Sequence, residues 1–443
     1  MLITNAHIIN EGHETPADVL IRNGRIERIA PQISAPAGTP VYDAKGQWLL
    51  PGLMDDQVHF REPGLTHKGN LFSESRAAVA GGVTSYFDMP NNKPTITTRE
   101  LLADKYTLAE GHSFANYAFY FGAANDNLEE IAALQPNEAC AVKVFMGAST
   151  GNMLVDDPHI LEGIFARSPL MVVTHCEDTP MIQALEADAR AKYGEDVPAW
   201  EHPNIRSAAA CYASSQLAVG LAKKHNADLH VLHLTTAREL ALFEPGPMKG
   251  KKITVEACVH HLAMSDADYA ALGHLIKCNP AIKTEEDRRA LIHAVMEDRI
   301  DIIATDHAPH TAEEKANSYF KAPSGLPLVQ HSLLMLIDLV KRGELNMRTV
   351  VQKACHATAE RFGVIDRGYV REGYWADLVL VDPHGSTTVD QSNILYKCGW
   401  SPLEGRTFGA SITGTWVNGE LVYENGEVKL PPIGQRIQFA SQR

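Results

Sequence analysis

The chain has 443 residues, 45% of them hydrophobic and 21% charged, with a net charge of −14. No run approaches the ~18 uninterrupted apolar residues of a membrane helix, the opening MLITNAHIINEGHE has no basic stretch feeding an apolar one, and no Lys/Arg block invites nucleic acid, so a cytoplasmic enzyme is expected. Seven scattered cysteines without a CxxC pair read as reduced thiols, neither a disulfide framework nor a Cys-type zinc site.

The first fifty residues alternate like strands, and Asn23-Gly24 between β-formers predicts a type I′ hairpin. Residues 51–365 change rhythm. Apolar runs recur at Trp48–Met54, Val83–Met89, Phe114–Gly122, Ala141–Met146, Leu170–Thr174, Leu229–Leu234, Ile253–Val259 and Ile300–Thr305. Segments such as Ala208–Lys224, between them, carry apolar residues at helical spacing. Eight buried strands alternating with helices predict a (β/α)₈ barrel, and the absence of GxGxxG removes the dinucleotide-binding alternative. Ala376–Asp382 is a further strand, and Thr415–Tyr423 holds a second Asn-Gly hairpin. Residues 1–50 and 366–443 are therefore expected to build one composite β-domain, a small β-sandwich beside the 51–365 barrel. The Pro-containing tail after Leu430 is expected to be a surface extension.

Polar residues gather at the C-terminal ends of the strand candidates, where barrel enzymes assemble their sites. Asp55-Asp56-Gln57-Val58-His59-Phe60-Arg61 follows the first run, Lys143 sits inside the fourth, and His175, His233 and Asp306 close the fifth, sixth and eighth. His230 and His233 lie three apart, so strand parity gives only one of them to the barrel mouth, and His230 is the structural one. His260 and His261 face opposite ways on the same reasoning, and neither is assigned to metal. Lys143, among Val-Val-Phe-Met on a buried strand, is costly if charged and unpaired. An ion pair is the ordinary explanation. Beside His175, His233 and Asp306, the chemical reading is a neutral amine that takes up CO₂ as a carbamate able to bridge two divalent ions.

Asp55 to Gly64, Ala80-Gly81-Gly82-Val83-Thr84, Met89-Pro90-Asn91-Asn92, Lys277-Cys278-Asn279-Pro280, Thr305 to His310 and Trp400-Ser401-Pro402 together resemble the dihydroorotase branch of the amidohydrolase superfamily. The resemblance spans nearly the whole chain. It implies Zn²⁺, one or two per chain, held by His59, carbamylated Lys143, His175, His233 and Asp306, with Asp306 also the catalytic proton shuttle. It implies Arg61, Asn91 and His310 on the substrate carboxylate, Asn279 on the pyrimidine ring and a backbone contact from Ser324-Gly325. The implied reaction is the reversible closure of N-carbamoyl-L-aspartate to dihydroorotate in pyrimidine biosynthesis. A homo-oligomer, dimer or tetramer, is expected, and aspartate transcarbamoylase is a candidate partner.

One residue departs from the family pattern. Gln57 stands where the first histidine of a His-x-His pair is usual, and an amide oxygen is a poorer partner for zinc than imidazole. The ion shared by His59, Lys143 and Asp306 should be weakened, and that of Lys143, His175 and His233 retained. Asp55, of the same strand parity, is the one candidate to compensate. Two other readings stay open: a hydantoinase- or allantoinase-type enzyme, against which Arg61 argues because those substrates lack the ring carboxylate, and a non-catalytic assembly partner, against which the four other intact ligands argue.

Overall fold

The computed structural model describes residues 1–147 and 152–440. Parallel strands Leu53–Val58, Val83–Asp88, Asn116–Phe119 (continued at Phe121–Gly122), Val142–Phe145, Val172–His175, Leu229–Val231, Ile253–Cys258 and Ile302–Ala304 form the barrel wall. A bridge from Val58 to His307 closes the last strand onto the first. Helices such as Leu71–Ala80, Ala208–His225 and Glu285–Met296 cover the outside, each capped by a side chain, from Asn70, Ser207 and Thr284, that accepts a free backbone N–H of the first turn. Among the described residues no helix is long and apolar enough to cross a membrane.

Strands from both chain ends share one nine-stranded sheet of the β-sandwich. Trp48–Pro51 runs between Leu2–Asn10 and Leu378–Asp382, and the Ser411–Val417 and Glu420–Glu424 hairpin extends the sheet beyond the latter. The first apolar run is thus not a single barrel strand. It divides at Gly52, its first half belonging to the sandwich and the barrel strand starting at Leu53. Both Asn-Gly turns have the two positive φ angles that a type I′ turn requires, at Asn23 and Gly24 and at Asn418 and Gly419. They also abut: a Cβ on Gly419 would fall 2.5 Å from the Gly24 Cα, so only glycine lets the two turns meet.

The tail is not a surface extension. Gln435 and Ile437 pair with Tyr117, Gln438 with Ile365 and Ala440 with Gly363. Ile437 and Phe439 are buried with Phe87, Ala118, Tyr120, Val173, Leu232, Ile302 and Phe362 in an apolar plug inside the barrel. Ile437 and Phe439 alternate with polar residues over too short a stretch to mark a buried strand, and only the open barrel floor makes them core.

Candidate active site

At the other end of the barrel the strand termini surround a cavity of about 280 Å³. Gln57, His59, Arg61, Asn91, Lys143, His175, His233, Asn279, Asp306, His310, Ser324 and Gly325 all line it. Apart from Asp55, the barrel therefore brings every residue named from the sequence as a site candidate to one place.

Three of them reach the cavity through left-handed backbone, Arg61 with φ 72°, His233 with φ 39° and Asp306 with φ 49°. Such angles strain a residue with a Cβ and persist where the surrounding fold imposes them. They also overturn the strand-parity argument for His230 and His233. The strand stops at Val231, the kink turns His233 into the mouth, and His230 faces the barrel interior as well, against Asp56, Glu256 and the Phe362 ring. Similarly, His260 and His261 are not on a strand; they begin the short helix Val259–Ala263 with their rings 4.0 Å apart. Asp55 does not compensate for Gln57. The register shifts between Asp55 and Val58, and Asp55 instead accepts from the Thr305 hydroxyl at 2.5 Å and from the Thr305 and Gln57 backbone N–H groups.

Two imidazoles converge in the cavity, His175 Nδ1 lying 3.0 Å from His233 Nε2. Glu177 Oε2 accepts from His175 Nε2 at 2.8 Å, which fixes that tautomer and leaves the Nδ1 lone pair facing His233. Burial alone would raise the Glu177 carboxyl, but the Arg206 charge and the His175 hydrogen bond outweigh it and hold its pKa at about 2. Lys143 is buried with its ammonium 4.7 Å from the Phe145 ring, and desolvation lowers its pKa to about 8. Two neutral nitrogen donors beside a desolvated amine suit a divalent ion with nitrogen and oxygen ligands.

On the opposite side, His59 uses Nδ1 on the Asn91 amide oxygen at 2.7 Å and turns Nε2 to Asp306 Oδ1 at 3.1 Å. Gln57 donates to the same carboxylate oxygen, also at 3.1 Å. Burial works against the Asp306 charge, but the His59 hydrogen bond and charge prevail and keep its pKa below the ordinary value. An imidazole nitrogen and a carboxylate thus fit a second ion, with an amide where a third strong ligand would be.

Arg61 is buried at 7% exposure and donates Nε to the Pro309 carbonyl at 3.0 Å. Its Nη2 lies 3.1 Å from His310 Nε2, and among the described residues it has no carboxylate partner. Lys68 faces His310 Nδ1 at 3.0 Å, Ser324 O faces Nε2 at 3.0 Å, and Trp400 Nε1 donates to the His310 carbonyl at 2.7 Å. Gly325 contributes its chain edge rather than free polar groups: its N–H donates to Lys277 O, and its carbonyl accepts from the Lys315 ammonium. Asn279 Oδ1 is buried without a hydrogen-bond partner among the described residues.

Sequence reasoning missed Arg206, Phe145, Ala308 and Pro323, which also line the cavity, and the positioning residue Glu177. Arg206 sits in the turn between His202–Ile205 and Ala208–His225, where no periodicity marks it. Glu177 lies two residues past a metal-type histidine, a spacing that could have drawn attention to it.

The sequence pattern of the amidohydrolase family matches residues 169–422. The chain is 32% identical over 422 residues to a dihydroorotase of Halobacterium salinarum, covering 93% of this chain and 96% of that one. An allantoinase of Bacillus velezensis is 30% identical over 432 residues, covering 96% and 94%. The structure superposes on L-hydantoinase (dihydropyrimidinase) from Arthrobacter aurescens with a TM-score of 0.92 at 26% identity, covering 99% of both chains.

Proposed function

The chain belongs to the amidohydrolase family and is a metal-dependent hydrolase of cyclic amides, and we propose that its reaction is the reversible interconversion of N-carbamoyl-L-aspartate and dihydroorotate. The observation that carries this reading is Arg61, a desolvated guanidinium facing the cavity with no carboxylate of its own. Burial lowers its pKa to about 10, the mark of a cation waiting for an anion. A ring carboxylate supplies that anion through a charge-assisted contact, and hydantoin or allantoin does not.

The remaining contacts follow from groups left unsatisfied. With its oxygen on His59, Asn91 has its amide NH₂ for the same carboxylate. His310, its Nδ1 and Nε2 held by Lys68 and Ser324, keeps the Arg61 side of the cavity in place. The orphaned Asn279 oxygen suits a ring N–H. Lys143, His175 and His233, with Lys143 as a carbamate, would hold a zinc ion, and His59, Lys143 and Asp306 a weaker one. Such an ion supplies a bound water of lowered pKa and a Lewis acid for the carbonyl. Asp306, ionised by its own environment, accepts the proton of the attacking water and returns it to the ring nitrogen as the amide bond breaks; closure runs these transfers in reverse. Glu177 and Arg206 keep His175 in the tautomer that leaves Nδ1 open.

A cytoplasmic homo-oligomer, with or without aspartate transcarbamoylase, belongs to the same reading. Turnover of dihydroorotate, hydantoin, dihydrouracil and allantoin by zinc- and bicarbonate-treated protein tests the substrate. Dihydroorotate should be preferred by at least an order of magnitude; equal or better turnover of a ring without the carboxylate refutes the assignment.

A further inference from the structure

One layer below the cavity, inside the barrel, Asp56, His230 and Glu256 bring one ligand atom each to within 4.8 Å of one another, and all three are fully buried. Nothing in the amide hydrolysis derived above uses them. Among the described residues, both Asp56 carboxylate oxygens, His230 Nε2 and Glu256 Oε2 have no hydrogen-bond partner. Everything else on these side chains is held. His230 Nδ1 lies 2.8 Å from Thr254 Oγ1, whose hydroxyl also accepts from Arg361 Nε at 2.8 Å and points its own hydrogen at Leu229 O. Thr254 therefore accepts from Nδ1–H, and Nε2 is the nitrogen that faces the Asp56 and Glu256 carboxylates. Glu256 Oε1 accepts the His233 backbone N–H at 2.9 Å and the Cys258 thiol at 3.4 Å, which leaves Oε2 to face inward.

Two buried carboxylates converging on one imidazole nitrogen are unfavourable unless positive charge lies among them. A shared proton would draw nitrogen and oxygen to ~2.7–3.2 Å. The separations are longer: His230 Nε2 stands 3.4 Å from Asp56 Oδ2 and 3.7 Å from Glu256 Oε2. Ligands ~2.0–2.1 Å from a zinc-like ion stand about 3.3–3.6 Å apart in tetrahedral to trigonal arrangements, close to the 3.4 and 3.7 Å that separate His230 Nε2 from the two carboxylates. We propose that Asp56, His230 and Glu256 form a second, interior site for a divalent transition-metal ion, distinct from the cavity ligands and independent of which cyclic amide the enzyme takes. Thr254 orients the imidazole, as a partner on the distal nitrogen does for metal-bound histidines. Through the Glu256 contact to the His233 backbone, an ion there would brace the floor of the cavity.

Crystals of the full-length protein grown with zinc chloride, with an anomalous difference map at the zinc edge, test this. A peak within bonding distance of His230 Nε2, Asp56 and Glu256 is expected. A map with density only among His59, Lys143, His175, His233 and Asp306, or with none, overturns the site. In parallel, Asp56→Asn should retain about one zinc per chain fewer than wild type after gel filtration; an unchanged count also overturns it. If that variant fails to fold, the wild-type map decides alone. Neither readout depends on turnover of dihydroorotate, so the site and the substrate assignment stand or fall separately.

Discussion

Gln57 donates its side-chain amide to Asp306 Oδ1 over 3.1 Å, so the position that could offer a metal ligand instead offers a hydrogen-bond donor to one. The carboxylate is thereby held toward His59, whose Nε2 approaches the same oxygen. Replacing the amide by imidazole should turn a donor into a ligand. Gln57→His is expected to raise tightly held zinc by about one ion per chain over wild type after dialysis. Plasma emission on the two proteins side by side measures the difference, and equal content means that Gln57 does not limit this half of the cavity.

Arg61 meets only neutral partners, so its charge is available to substrate. Arg61→Met should raise KM for dihydroorotate roughly tenfold to a hundredfold, as expected for losing a charge-assisted hydrogen bond of ~1.5–3 kcal/mol. Zinc content should not change, because the guanidinium touches no candidate ligand other than through space. Arg61→Lys should recover part of the loss, since a point charge replaces a fork. Zinc lost from Arg61→Met would show instead that the arginine braces the metal side.

What could be seen in the sequence divides along regular and irregular backbone. Lys143 and His175 lie on uninterrupted strands, where alternation tells inside from outside, and they sit where alternation puts them. His233 and Asp56 lie just where alternation ends. A left-handed residue redirects the first, and a register shift lets the second and Gln57 both point inward. Neither event has a composition signature. Glu177 and Arg206 act through each other across 29 residues, in loops, so their pairing exists only in the folded chain. The division of Trp48–Met54 between sandwich and barrel was hidden for a related reason: one apolar run serves two cores.

His356 joins the barrel to the sandwich, its Nδ1 lying 2.7 Å from Gly368 O and its Nε2 accepting the Glu11 backbone N–H at 2.9 Å. Only the neutral ring can do both. Burial lowers its pKa below the ordinary 6.5. Between that folded value and 6.5 the unfolded chain binds more protons, so stability rises with pH through this window and is lost as the solution is acidified. His356→Gln keeps an acceptor near Nε2 and removes the titration. Its melting temperature should fall less than that of wild type between pH 7 and pH 5. Parallel falls would assign the acid sensitivity to other buried histidines.

Phe439 packs edge-on against Phe87 at 5.8 Å between ring centres and is 5% exposed, closing the end of the barrel opposite the cavity. Its backbone N–H donates to the Asn137 side chain at 2.7 Å, so the tail is pinned as well as buried. Truncating a packed phenylalanine removes its transfer free energy and leaves a cavity that neighbouring rings refill only in part. Phe439→Ala should therefore cost about 3–5 kcal/mol, read as a lower urea midpoint. The effect on kcat should be small, because the apolar plug separates Phe439 from the catalytic end. An unchanged midpoint would mean that the tail rests on the barrel without supporting it. A kcat loss at unchanged stability would mean that the floor transmits strain through the interior to the cavity.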